Sequence, residues 1–97
     1  MADPNRDLSD HFGANLARIR KRAGLSQEEV GYAAELHRTE VGMLERGIRL
    51  PRLDTIAKLA GGLEVDPGDL FAGITWRPGV YTPGRFDLTD PASGEER

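Results

Sequence analysis

Ser26-Gln27-Glu28-Glu29-Val30-Gly31-Tyr32-Ala33-Ala34-Glu35-Leu36-His37-Arg38-Thr39-Glu40-Val41-Gly42-Met43-Leu44-Glu45-Arg46-Gly47 holds two helix starts in close succession. Ser26 is a good N-cap, and Glu29 three residues on completes a capping box that satisfies two orphan backbone donors reciprocally. Leu25 and Val30 stand at the spacing of a hydrophobic staple. The same grammar returns eleven residues later, with Leu36 before the cap, His37 at the cap, Glu40 at N3 and Val41 at N4. Gly47 can take the left-handed conformation that ends the second helix. The expected helices are about 27–34 and 38–46. The gap between them suits a sharp helix-turn-helix corner rather than a relaxed loop.

Ser26-Gln27-Glu28-Glu29-Val30, then Leu36-His37-Arg38-Thr39, then Glu45-Arg46-Gly47 and Pro51 resemble the phage-repressor-like helix-turn-helix family, also called XRE or Cro-like. The resemblance covers roughly residues 11 to 72. It implies a DNA-binding regulator with an all-α, five-helix lambda-repressor-like domain. The chain departs from the family where Ala is usual at 31 and Gly at 35, carrying Gly31 and Glu35 instead. Gly31 should cost up to about 1 kcal/mol against Ala in a helix interior. A left-handed Glu35 should cost roughly 1–2 kcal/mol. The resemblance also implies that Arg20, near the end of the first helix, pairs with Glu45 in a structural ion pair.

Residues 1–8 read as a disordered tail, polar and without periodicity. Ser9 or Asp10 can cap a first helix running to about Ala23, with Phe12, Leu16, Ile19 and Ala23 on one stripe and Gly24 closing it. Arg18, Arg20, Lys21 and Arg22 suit the negative end of that helix. They form either a solvated face or a partial phosphate contact. Val30, Ala33 and Ala34 face inward from the second helix, and Val41 and Leu44 from the third. A fourth helix is expected from about Leu53 to Gly61, with Leu53, Ile56, Ala57, Leu59 and Ala60 mostly inward and Gly61-Gly62 as its stop. Asp66 and Pro67 start a fifth. Residues 9–72 thus make the helix-turn-helix domain.

Beyond it, Ile74-Thr75-Trp76 and Arg85-Phe86-Asp87-Leu88 flank two Pro-Gly turns and read as a short β-hairpin, so residues 73–88 form an extension. A lone hairpin is marginal in water. It must pack on the helices, on a second copy, or on both. Trp76, Tyr81 and Phe86 lie outside the five-helix core and make the hairpin the candidate dimer contact, or the contact for a protein partner. Residues 89–97 read as a disordered acidic tail.

The whole chain of 97 residues carries a net charge of −3, which opposes nucleic-acid binding. Its distribution softens the objection. Residues 11–72 hold nine basic and nine acidic residues, whereas the flanks hold four basic and seven acidic ones, which supply the deficit (4 − 7 = −3). DNA attraction depends on local placement more than on the sum. The chain has no cysteine, which excludes disulfides and thiolate metal sites and fits a cytoplasmic protein. No apolar run approaches membrane-spanning length. No cysteine nucleophile, metal-ligand cluster or phosphate-binding glycine loop points to an enzyme, a metal or a cofactor. His11 and His37 are too few for a metal site.

In a helix-turn-helix the first turn of the second helix lies nearest the base edges. The candidate base-reading residues are therefore Arg38, Thr39, Glu40, Gly42 and Met43. Arg38 could pair with guanine O6 and N7, and Thr39 could bond a base or touch a thymine methyl. Glu40 is either an acceptor for cytosine N4 or the capping partner, and Met43 is a core filler or a reader. The candidate phosphate contacts are His37, Arg46, Arg49 and Arg52, with Gln27 added by the resemblance. One helix reads few base pairs, so a homodimer on a near-palindromic double-stranded operator is expected. The leading function is a sequence-specific transcriptional regulator, most simply a repressor. A restriction-modification controller or an antitoxin is the alternative within the class, and an adaptor that has lost DNA binding is the alternative outside it.

Overall fold

The computed structural model describes residues 4–90. Five helices come first, followed by one hairpin: α1 Pro4–Arg22, α2 Gln27–Ala34, α3 Arg38–Glu45, α4 Leu53–Leu63, α5 Pro67–Leu70, β1 Ile74–Arg77 and β2 Arg85–Leu88. This is the lambda-repressor-like arrangement with a C-terminal antiparallel hairpin. Phe12, Leu16 and Ile19 of α1 meet Val30 and Ala34 of α2, Val41 and Leu44 of α3, Ile56, Leu59, Ala60 and Leu63 of α4, and Leu70 of α5 in one core. Burying each Val, Leu, Ile or Phe of this core contributes about 1.5–3 kcal/mol, the main driving force for a chain this short.

α1 begins five residues earlier than the expected cap at Ser9. Pro4 can open a helix because its missing N–H would be unpaired there anyway. Ser9 lies inside the helix, buried, with its hydroxyl donating to the Asn5 carbonyl at 2.8 Å. Arg6 and Asp10 add an exposed i,i+4 ion pair at 3.1 Å. Residues 4–8 are thus helical rather than tail. Residues 1–3 of the expected N-terminal tail, and residues 91–97 of the expected acidic tail, lie outside the described residues. Thr89 does not join that tail either, since its N–H donates to the Gly73 carbonyl at 2.8 Å.

α4 runs through Gly61 and Gly62 and stops at Glu64, which is left-handed at φ 59°. Gly62 serves contact rather than termination. A Cβ there would stand 3.1 Å from the Ala33 Cβ, so the glycine lets α4 approach α2. Leu53, expected inward, is 83% exposed, because it occupies the first residue of α4 at the edge of the packed layer. Ala23, Ala33 and Ala57 are exposed as well.

β1 pairs with β2 in the register Ile74–Leu88, Thr75–Asp87, Trp76–Phe86 and Arg77–Arg85. β2 packs on α1. Two α1 side chains fasten the entry to the hairpin. Asn15, fully buried, donates to the carbonyls of Leu70 at 2.9 Å and Ala72 at 3.0 Å. His11 Nε2 lies 2.9 Å from the same Ala72 carbonyl. Neither bond leaves a trace in the hydrophobic pattern.

Candidate nucleic-acid interface

The corner between α2 and α3 consists of Glu35, Leu36 and His37. Glu35 is left-handed at φ 59° and ψ 44°, and the Leu36 N–H donates to the Gly31 carbonyl at 2.8 Å. The absent Cβ of Gly31 makes this return possible. A Cβ would lie 2.6 Å from the Leu36 carbonyl oxygen, closer than such atoms pack. Gly31 and Glu35 thus work as one unit, with the glycine taking the chain's close approach and the glutamate taking the left-handed turn.

Capping orients both helices. Ser26 Oγ accepts from the Glu29 N–H at 3.0 Å, and Glu29 Oε1 accepts from the Ser26 N–H at 2.8 Å. At α3 the cap is the imidazole of His37, whose Nδ1 accepts from the Thr39 N–H at 3.1 Å. An accepting Nδ1 leaves Nε2 to carry the ring proton. Glu40 does not complete a second capping box. Its Oε2 turns to Arg49 Nη1, 3.9 Å away.

Behind α3, Arg20 holds Glu45 through two hydrogen bonds, Nε to Oε2 at 2.5 Å and Nη2 to Oε1 at 3.0 Å. Its Nη1 donates to the Leu25 carbonyl at 2.9 Å. The two side chains are 12% and 8% exposed. The hydrogen bond to Glu45 raises the Arg20 pKa above its ordinary value against the opposing effect of burial, so the guanidinium is charged throughout. Gln27 Nε2 donates to the same Glu45 Oε1 at 3.0 Å. One carboxylate therefore ties α1, the first residue of α2 and the end of α3 together. The Gln27 bond has no signature in the sequence.

The exposed face in front of this anchor carries His37, Arg38 and Thr39, with Glu40 and Met43 half-buried beside them. Gly42, expected among the base readers, does not share that exposed face. It is buried, and a Cβ would meet the Arg46 guanidinium at 3.2 Å and Gln27 Oε1 at 3.4 Å. Those two side chains cover it, so it presents no surface to a base edge. Arg46, Arg49 and Arg52 are exposed around the end of α3 and the start of α4. Arg38 Nη1 lies 3.7 Å from Glu28 Oε1, and Arg52 Nε lies 3.3 Å from Asp54 Oδ1. Tyr32, 89% exposed, joins Glu28, Leu36, His37 and Arg38 around a shallow depression. Its position off the apolar stripe of α2 was the available signal for it.

On the hairpin, Trp76 and Phe86 stack edge to face with ring centroids 5.0 Å apart. A Cβ on Gly84 would come within 2.5 Å of the indole, so the glycine seats Trp76. Trp76 remains 54% exposed, and Tyr81, left-handed at φ 63°, is fully exposed on the loop. Among the described residues no His, Cys, Asp and Glu cluster could hold a metal ion, and no helix is long and apolar enough to cross a membrane.

A family model described as a helix-turn-helix domain matches residues 11–72, which takes in every element of the α2–α3 face and stops short of the hairpin. Control protein C.BamHI of Bacillus amyloliquefaciens is 40% identical over 60 residues, spanning 61% of this chain and 74% of that protein. Control protein C.MunI of a Mycoplasma species is 33% identical over 69 residues, spanning 70% and 93%. The crystal structure of the restriction-modification controller protein C.AhdI from Aeromonas hydrophila superimposes with a TM-score of 0.64 at 41% identity, covering 65% of this chain and 96% of that one. The chain belongs to the XRE/Cro-like helix-turn-helix family of DNA-binding transcriptional regulators, a family of non-enzymatic proteins.

Proposed function

We propose that this chain is a controller-type regulator that binds double-stranded DNA sequence-specifically as a homodimer, with α3 in the major groove. The observation that carries the controller reading is the likeness to C.AhdI, at 41% identity over 96% of that controller's length. A general repressor was the simpler expectation. The relatives named as control proteins favour the narrower one.

In this reading Arg38 pairs with a guanine edge and Thr39 bonds or touches the neighbouring base. Met43 contacts a base further along α3, while the Glu40 carboxylate stays with Arg49. The His37 Nε2–H, the backbone N–H at Gln27 and the guanidinium groups of Arg46, Arg49 and Arg52 take phosphates, fixing register without reading sequence. Two copies meet through the hairpins, burying Trp76, Phe86 and Tyr81, and present two α3 helices to half-sites about one helical turn apart. The protein acts in the cytoplasm, where its operator lies.

Selection from a random duplex library with the purified chain tests the reading. A near-palindromic winner that occurs upstream of a restriction endonuclease or methyltransferase gene supports a controller. A winner found only at unrelated promoters leaves a regulator of another kind. Sedimentation velocity at tens of micromolar, with and without the winning duplex, tests the dimer. A single copy in both samples overturns it.

A further inference from the structure

Three of the arginines assigned to DNA each hold a carboxylate of their own chain within 4 Å: Arg38 with Glu28 at 3.7 Å, Arg49 with Glu40 at 3.9 Å and Arg52 with Asp54 at 3.3 Å. Glu28, Arg38 and Glu40 belong to α2 and α3, Arg49 follows α3, and Arg52 and Asp54 stand at the start of α4. Residues 11–72, which include these elements, hold nine basic and nine acidic residues. Three of the four arginines assigned to DNA thus have a carboxylate of their own chain close by.

We infer that Glu28 and Glu40 are specificity-determining residues that act by suppressing non-specific DNA binding. This rests on the DNA-binding reading above. Each carboxylate works in two ways. It offers its arginine an internal alternative to a phosphate, and it repels any phosphate brought to the same place. A generic phosphate contact gains little over the internal pair, because it exchanges one anionic partner for another. A correct operator adds the bidentate guanine bond and close base contacts, which the internal pair cannot match. The carboxylates therefore penalise random duplex more than the operator and widen the ratio between them, as an unfavourable element built against the wrong partner does. Glu28 occupies the first turn of α2, where a negative charge opposes the attraction that helix starts otherwise offer to phosphate. The exposure of these pairs limits each effect to roughly fivefold in affinity or less.

The test compares the intact chain with Glu28→Gln, Glu40→Gln and the double variant, on the selected operator and on a random duplex of equal length at several salt concentrations. Glu64→Gln makes the same change in net charge at the C-cap of α4, outside the α2–α3 face, and controls for charge alone. We expect the double variant to bind random duplex about tenfold more tightly, with a smaller gain on the operator. Glu64→Gln should change both little. Glu28→Gln should narrow the operator-to-random ratio without altering the preferred base at any position, which separates masking from base reading. An unchanged ratio in both single variants, or an equal narrowing by Glu64→Gln, overturns the inference while leaving the DNA reading intact. Absent binding by the intact chain with binding gained by the double variant would refute the regulator reading and support masking. Absent binding by all variants would overturn both.

Discussion

Arg20 and Glu45 join the end of α1 to the end of α3 through two hydrogen bonds, and Glu45 shares one of those oxygens with Gln27 at the start of α2. The carboxylate that closes the exposed α3 face from behind is thus the joint of all three helices. Replacing either partner leaves a mostly buried charge without its counter-ion, which costs about 3–5 kcal/mol. We expect Arg20→Met and Glu45→Leu each to lower the urea midpoint by a corresponding amount, and the double variant to recover much of the loss. Additive losses in the double variant would show that the two side chains do not depend on each other.

Two buried glycines of the α2–α3 unit should respond oppositely to alanine. Gly31→Ala gains up to about 1 kcal/mol of helix propensity but drives a methyl to within 2.6 Å of the Leu36 carbonyl oxygen. Overpacking of this kind costs about 1–3 kcal/mol, so net destabilisation is expected. At Gly42 the nearest atom is a movable Arg46 guanidinium at 3.2 Å. Gly42→Ala should therefore stabilise by a few tenths to about 1 kcal/mol. Glu35→Gly should also stabilise, by about 1 kcal/mol, by relieving a left-handed glutamate. Thermal melts of the three variants check all three signs.

The hairpin carries a pH dependence. The hydrogen bond from Arg77 chiefly, with a lesser one from Arg85, holds the Asp87 carboxyl below its ordinary value against an opposing desolvation that outweighs the Arg85 bond alone. A depressed carboxylate stabilises fully above its unfolded pKa of about 3.9 and loses that contribution as pH falls through the lower folded value. Trp76 is the neighbour of Arg77 on β1, so its fluorescence should change as pH falls below about 4. In Asp87→Asn that step should disappear. A step that persists belongs to another group.

Much of this was legible in the chain. The capping grammar at Ser26 and His37 set α2 and α3, and Phe12, Leu16 and Ile19 marked the buried face of α1. What escaped depended on partners distant in sequence or on steric fit. Ser9 looks like a cap until its hydroxyl finds the Asn5 carbonyl inside a helix that starts at Pro4. Gly61-Gly62 looks like a stop until Ala33 is seen against it. Gly42 looks open because a glycine on an exposed stripe cannot announce the Gln27 and Arg46 side chains above it. Asn15 and His11, which fasten the hairpin entry, are polar residues whose carbonyl partners no periodicity reveals.

Phosphate and base contacts should separate in the sequence dependence of binding. Arg46→Ala and Arg49→Ala should weaken binding to all duplexes by similar factors and each reduce the salt slope by about one. A change in preferred bases in either variant would place that arginine in a groove instead.

The most direct test of α3 as the reading helix is the affinity of the intact chain and Arg38→Ala for the selected operator and each of its single-base variants, between about 50 and 200 mM salt. The expected result is steep salt dependence for both proteins, with Arg38→Ala losing about 1–3 kcal/mol on the operator and discrimination at one guanine-containing position per half-site. Equal loss on every sequence, or full discrimination without Arg38, would contradict the placement of α3 in the major groove with Arg38 at a base edge.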